Sequence, residues 1–340
     1  MTPQENKPPL RVWAILGDRA GDNDQVIALA EALGVPFEVK QLHFNGLARF
    51  GPRVIGRSLI SLTKASKEEV LADPGPDLTI SVGHRSVPAI LILRRRSKGR
   101  MRSIHLGFPR VFPGEFDLVI TTPQYPVPDH PNVFRIPFAF TGRANTHRMP
   151  VGEQLSALPS PRRLLIVGGP TKFWEIDEDA LHDRLAALIE QTRGEGGSLL
   201  VTTSPRTPAA ARKHLGDALK VSDVPFLLAG PGETPDYASL LAVADTIDVT
   251  ADSVAMVSDA IWTGKPVKLV PIVNNLTGRI IVRASEIIRP GRRLYPRDLR
   301  FFWRSLAELG VGTQHGKSNG SALVWRETIV DHARAVINRR

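Results

Sequence analysis

The feature that most constrains this chain is a repeated alternation, in which short apolar runs are each followed by a stretch of helical pattern, through both halves of the sequence. A parallel strand is covered on both faces and reaches its neighbour only through a crossover, so βα units on a parallel sheet read in this way. In the first half the strand candidates are RVWAIL from Arg11, FEVKQLHF from Phe37, DLTISV from Asp77, SIHL from Ser103, FDLVIT from Phe116 and NVFRI from Asn132. Helices fit Asp24 to Leu33 and Val87 to Arg96. The second half restarts with RLLIVGG from Arg163, SLLVTT from Ser198, PFLLAG from Pro225, TIDVTA from Thr246 and PVKLV from Pro266. Its helices are expected at Asp177 to Arg193, Thr207 to Leu215, Asp236 to Ala244 and Ser253 to Thr263. Between the halves, Thr141 to Pro161 lacks periodicity and holds Pro150, Pro159 and Pro161, as a boundary segment does.

A chain of 340 residues exceeds what one core usually fills. The expectation is α/β, with two Rossmann-like doubly wound parallel-sheet domains over 1–150 and 162–320 whose strand-end loops face each other across a cleft. A C-terminal helix follows over 321–340, with Trp325, Ile329, Ala333 and Ile337 on one face, placed to return to the first domain.

Charge and composition narrow the chemistry. Forty-four Lys and Arg against thirty-four Asp and Glu give a net +10, a field that favours anionic partners. With no cysteine and no HExxH spacing, neither a metal site nor a cofactor is expected. Aromatic residues are sparse and no nucleic-acid-binding string occurs, so nucleic acid is not an expected partner. The start, MTPQENKPPLR, has no apolar signal core, and no run reaches the roughly 18 apolar residues of a membrane span, so a cytoplasmic chain is expected. RRRSKGRMR, Arg94 to Arg102, sets six basic residues in nine positions, and more arginines follow at 289, 292, 293, 297, 300 and 304. They read either as solvated faces or as a surface for anionic lipid.

Ligands of open α/β sheets sit at the carboxyl ends of strands, so the loops there carry the candidates. After the first strand, GDRAGDNDQ offers Gly17 and Gly21 for a sharp turn near a ligand, Asp18 as a general base, and Asp22 or Asn23 as a helix cap. GHRS places His84 and Arg85 at a helix start, for proton transfer or an anion. In the second half, Gly168, Gly169 and Lys172 of GGPTK suit a phosphate. In TTSPRTP, Thr203, Ser204 and Arg206 precede Thr207 and Pro208, read as N-cap and first helical residue. In VTADSVAMVSDAIWTGKPV, Ser253 and adjacent amides suit a diphosphate. Asp252 and Asp259 lie seven residues apart, about two helical turns, and can project on one side. Each of these loops also reads as an ordinary βα turn with capping residues.

The strand, small-residue helix start, acidic residue and Gly-x-Pro of Ala244 to Val270 resemble the donor half of GT-B glycosyltransferases. With GDRAGDNDQ, DLTISVGHRS, FDLVIT and TTSPRTP in order, the chain from Arg11 to Val270 resembles the mitochondrial-fission ELM-type family. It departs from that pattern at Pro205, at TPDY and at Asp259. The resemblance implies a metal-free glycosyltransferase of cell-envelope or glycoconjugate synthesis. A nucleoside-diphosphate sugar would be held by Gly168, Gly169, Lys172, Thr203, Ser204, Arg206, Asp252, Ser253 and Asp259. The acceptor would meet Gly17, Gly21 and Arg85, with Asp18 or His84 as base. The acceptor could be lipid-linked, with the chain peripheral on the cytoplasmic membrane face. A nucleotide-sugar epimerase and a non-catalytic membrane-associated adaptor are the alternatives.

Overall fold

The computed structural model describes residues 9–142, 153–311 and 320–338. The first half runs β1 (Val12–Leu16), α1 (Ala20–Leu33), β2 (Phe37–Gln41), α2 (Pro52–Ile55), α3 (Lys64–Leu71), β3 (Leu78–Val82), α4 (Val87–Arg96), β4 (Arg102–Leu106), β5 (Leu118–Thr121) and β6 (Val133–Arg135). The second runs α5 (Glu153–Ser156), β7 (Arg162–Val167), β8 (Trp174–Ile176), α6 (Glu178–Glu195), β9 (Ser198–Thr203), α7 (Ala209–Val221), β10 (Phe226–Ala229), α8 (Tyr237–Val243), β11 (Thr246–Thr250), α9 (Val254–Trp262) and β12 (Val267–Val270). It continues through β13 (Ile272–Asn274), α10 (Leu276–Ile288) and α11 (Leu299–Glu308), and α12 (Gly320–Asn338) ends the described chain.

Two parallel sheets organise these elements, one in the strand order β2-β1-β3-β4-β5-β6 and the other in the order β10-β9-β7-β11-β12. The fold class is therefore α/β with two doubly wound sheets. In the first sheet the chain moves one way from β1 to β2 and the other way from β3 onward, so the order reverses between β1 and β3. In the second it reverses between β7 and β11. Right-handed crossovers leave those strands toward opposite faces, and their carboxyl-end loops part to leave a crevice.

The chain forms two compact units, residues 1–136 with 325–340 and residues 137–324. The division falls at Ile136–Pro137, ahead of the expected Thr141–Pro161 segment. Ala139 already belongs to the second unit: its amide donates to Ser258 Oγ (2.9 Å) and its carbonyl accepts from Trp262 Nε1 (2.7 Å), both on α9. Residues 143–152 of the expected linker lie outside the described residues, as do residues 1–8 of the polar start and 312–319. The last helix buries Ile329, Val330, Ala333 and Val336 in the first unit, where His332 stacks on Phe134 at 3.9 Å.

Several elements lie where the sequence predicts none, α3 and α10 among them, with the antiparallel pair β8–β13. Helix α3 buries only Ser66 and Val70, too few for a clear apolar stripe, and starts from Thr63, whose hydroxyl accepts from Ser66 N. Helix α10 covers Leu276–Ile288, to which the sequence reading assigns no element. The loop after β9 also corrects an expectation: Thr207 is not the cap of α7, because Pro208 holds the N-cap position. The Thr207 hydroxyl instead lies 2.9 Å from Val167 O and 2.6 Å from Gly168 O and accepts from Ser204 N.

His105 is enclosed in β4 beside Phe116, with Ser81 Oγ at 3.0 Å from Nδ1 and no partner for Nε2. A proton on Nδ1 donated to Ser81 is the cheaper tautomer, since it leaves a lone pair rather than an N–H unpaired. Burial, with His84 nearby, holds the His105 pKa at about 3. The unfolded chain therefore takes up this proton below pH 6.5 while the folded chain refuses it until about 3, so stability falls as pH drops through that window. At pH 5 the loss from this group is about 2 kcal/mol relative to pH 7.5. Urea titrations at both pH values should show a flatter pH dependence for His105→Gln, and an unchanged dependence would mean the imidazole is protonated in the fold.

Candidate functional site

The sequence candidates fall at both strand-order reversals. In the first unit, β1 delivers Gly17 and Asp18, and its neighbour β3 delivers His84 and Arg85. Arg85 Nη1 donates to Asp18 Oδ2 at 3.0 Å, and both side chains remain 44% exposed. The loop after β1 is fastened from within: Gly17 N donates to Asn23 Oδ1, and Gly17 O accepts from Asn23 Nδ2 and Gln41 Nε2, all within 2.9 Å. Gly17 thus has no backbone group left for an acceptor. Gly21 is not in the loop either, because α1 begins at Ala20 with Arg19 as its N-cap residue. Asn23 accordingly closes the loop instead of capping the helix.

His84 is half-buried, and burial followed by the positive charges of Arg110, Arg85 and Arg19 lowers its pKa to about 4. The imidazole is neutral above pH 5 and stands among three cations. Arg110 and Arg19 had no sequence signal, since an isolated arginine in a loop reads as solvated. Arg110 adopts a left-handed backbone, φ 60°, with its carbonyl accepting from Arg53 Nε.

In the second unit, the loops after β7, β9 and β11 interlock. The Thr250 hydroxyl accepts from Gly168 N (2.7 Å) and donates to Asp252 Oδ1 (2.6 Å). Asp252 Oδ2 accepts from Gly169 N (3.1 Å) and from Arg206 Nη2 (2.7 Å), while Arg206 Nη1 donates to the carbonyls of Gly169 and Pro170. A Cβ on Gly168 would lie 2.1 Å from the Asp252 carboxylate, and one on Gly169 would lie 2.1 Å from Arg206 O. The paired glycines therefore admit the chain's own Asp252 and Arg206, where the sequence suggested close approach to a ligand.

This arrangement changes several expected roles. Asp252 is fully buried and spent on three internal donors, so it positions Arg206 and cannot itself contact a nucleotide. It also precedes Ser253, the N-cap of α9, so no helical repeat relates it to Asp259. Asp259 is buried in α9. Thr203 is buried at the end of β9, and Ser204 is engaged in its turn with Thr207 and Arg206 N. What the site offers outward is the exposed Lys172 amine, the two N–H groups of the five-donor Arg206 guanidinium not used by these bonds, and the first turn of α9 behind Ser253. Ser253 Oγ accepts from Met256 N at 3.4 Å, a long bond that a ligand could replace.

Supports missed by the sequence reading hold these loops from behind. Asn275 Nδ2 donates to the carbonyls of Thr171 and Lys172, and Trp303 Nε1 donates to Ala251 O at 2.9 Å. Asn275 was findable in principle, since it caps α10 by accepting from Gly278 N. Arg94, Arg96 and Arg102 of the expected basic surface are tied to Asp117, Asp73 and Asp117 respectively, which mutes that patch. Among the described residues, no three His, Asp or Glu side chains gather as a metal site, and no helix is long and apolar enough to cross a membrane.

Residues 20–290 match the family described as Mitochondrial fission ELM1. The chain belongs to that family. It is 26% identical over 247 residues to the mitochondrial fission protein ELM1 of Arabidopsis thaliana, an alignment covering 63% of this chain and 55% of the plant protein. The match thus spans about half the length of that curated relative. Among solved structures, a glycosyltransferase from Rickettsia africae aligns with 98% of this chain and 100% of its own, at 10% identity and a TM-score of 0.47. The UDP-GlcNAc 2-epimerase of Methanocaldococcus jannaschii covers 88% of this chain and 99% of its own, at 13% identity and a TM-score of 0.46.

Proposed function

We propose that the chain is a nucleotide-sugar-dependent glycosyltransferase, with the diphosphate bound by the second unit and the acceptor by the first. The observation that carries this reading is the Arg206 guanidinium held by Asp252 next to Ser253, the N-cap of α9, with the exposed Lys172 in the loop after β7 that Arg206 also binds. Two cationic side chains and a helix start are what an anionic leaving group requires when no metal neutralises it. The Asp252 carboxylate offsets much of the Arg206 charge, so Lys172 supplies the larger share of net attraction.

In the first unit, Asp18 or the neutral His84 accepts the acceptor hydroxyl proton as that oxygen attacks the anomeric carbon. The bond from that carbon to the diphosphate breaks, and the diphosphate leaves with the electron pair. Arg85 orients Asp18 through the hydrogen bond from Nη1 to Oδ2.

A thermal-shift panel of nucleoside diphosphates and nucleotide sugars tests the donor assignment, since a ligand at 100 times its dissociation constant stabilises by about 2.7 kcal/mol. Lys172 is exposed and forms no ion pair among the described residues, so Lys172→Glu should leave the apo melting temperature unchanged. It should weaken the best ligand about tenfold or more. If no nucleotide stabilises the protein, or if Lys172→Glu binds as well as the parent, the donor site lies elsewhere.

A further inference from the structure

Helix α10 carries its apolar residues outward. Leu276, Ile280, Ile287 and Ile288 are 75, 64, 76 and 73% exposed. At 3.6 residues per turn, Leu276, Ile280 and Ile287 fall within about 40° of one another. Gly278 and Val282, by which the helix is anchored to its own unit, lie on the opposite side. The stripe therefore points away from the body of the unit along three turns.

Arginines flank it. Residues 276–297 include Arg279, Arg283, Arg289, Arg292, Arg293 and Arg297, against one acidic residue, Glu286, which is paired with Arg300. Arg293 stacks on Phe301 at 4.3 Å, and Tyr295 is 55% exposed beside it. A helix that lies in a membrane interface combines these features, namely exposed aliphatic residues on one side, arginines whose long stems carry their charge up to the headgroups, and an exposed aromatic residue nearby.

We infer that α10 and the arginine-rich segment after it dock this protein on an anionic lipid bilayer, with Leu276, Ile280 and Ile287 entering the boundary between headgroups and acyl chains. Charge complementarity selects this occupant. A second copy of the chain apposed through the same face would set arginines against arginines, whereas a surface of phosphate headgroups satisfies each of them. The surface differs from the Arg94 to Arg102 run, whose arginines 94, 96 and 102 are engaged with the protein's own carboxylates. It does not depend on the catalytic proposal, and an inactive protein would dock equally well.

The test uses the full chain with vesicles of phosphatidylcholine mixed with phosphatidylglycerol, beside vesicles of phosphatidylcholine alone. The parent should co-sediment with the anionic vesicles and be released by raised salt. The triple variant Leu276→Gln, Ile280→Gln, Ile287→Gln should keep its melting temperature, because all three side chains are exposed, and lose binding about tenfold or more. The chain has no cysteine, so Ile280→Cys accepts a polarity-sensitive dye at one position. Its emission should shift to the blue on anionic vesicles, while the same dye at Lys213→Cys on exposed α7 should not respond. Absence of vesicle binding, equal binding to both vesicle types, undiminished binding of the triple variant or a silent dye at position 280 would each overturn the proposal. So would a dimer that the triple variant dissociates, which would make this face a protein interface.

Discussion

Arg206→Ala is expected to lower stability by about 3 kcal/mol, well beyond the usual cost of removing a half-exposed arginine. The reason lies with its partner. Asp252 is fully buried, and without the guanidinium it retains only the Thr250 hydroxyl and the Gly169 amide to balance a charge withdrawn from water. Breaking a buried pair from one side typically costs about 3 to 5 kcal/mol. The lower figure applies here because Arg206 is 42% exposed and water can enter where it stood. Urea unfolding at pH 7.5 measures the effect, and the double variant Arg206→Ala, Asp252→Asn should recover part of it by removing the stranded charge. A single variant within 0.5 kcal/mol of the parent would mean the pair does not support the fold. The consequence for function is direct: nucleotide affinity lost in Arg206→Ala mixes a missing contact with a disturbed Gly168–Gly169 loop. Lys172→Glu is the cleaner probe of phosphate binding.

Asp18→Asn and His84→Ala are each expected to leave nucleotide affinity near that of the parent, and the one that removes the base should lower turnover by about 10² to 10⁴. Both residues belong to the first unit, while the proposed diphosphate contacts belong to the second. The pH profile tests His84 directly. Burial and the cations around His84 hold its pKa at about 4, so a His84 base remains competent from neutral pH down to about 4 and fails below it. That acid limb should be absent in His84→Ala if the imidazole is the base. An acceptor that brings its own negative charge among Arg19, Arg85 and Arg110 would raise the limb in the complex. Full turnover in both variants would remove the first unit from the chemistry, and lost nucleotide binding in both would place the donor there instead.

What the sequence determined by itself was the kind of each element and the chemistry at its ends. Such signals are local: Val87–Arg96 carries an apolar run, buried on all sides in its first turns, that ends in three arginines, and SLLVTT reads as a strand because both its faces are covered. The glycine-containing loops after β1, β3 and β7 were legible for the same reason, as breaks between two such patterns.

Strand order was decided only by the tertiary structure. Nothing in the periodicity of β7 or β11 states that they are neighbours, yet that adjacency brings Gly169 against Asp252, 83 residues on. The same holds for Asp18 and Arg85, which lie 67 residues apart. It also turned Asp252 from a candidate ligand contact into a buried strut, because the sequence records a carboxylate but not the three donors that surround it. Helix α10 is the sharpest case. An apolar repeat at Leu276, Ile280 and Ile287 has the same spacing whether it faces a core or solvent. Which of the two it faces depended on where Gly278 and Val282 found their packing partners, and that is a property of the assembled unit.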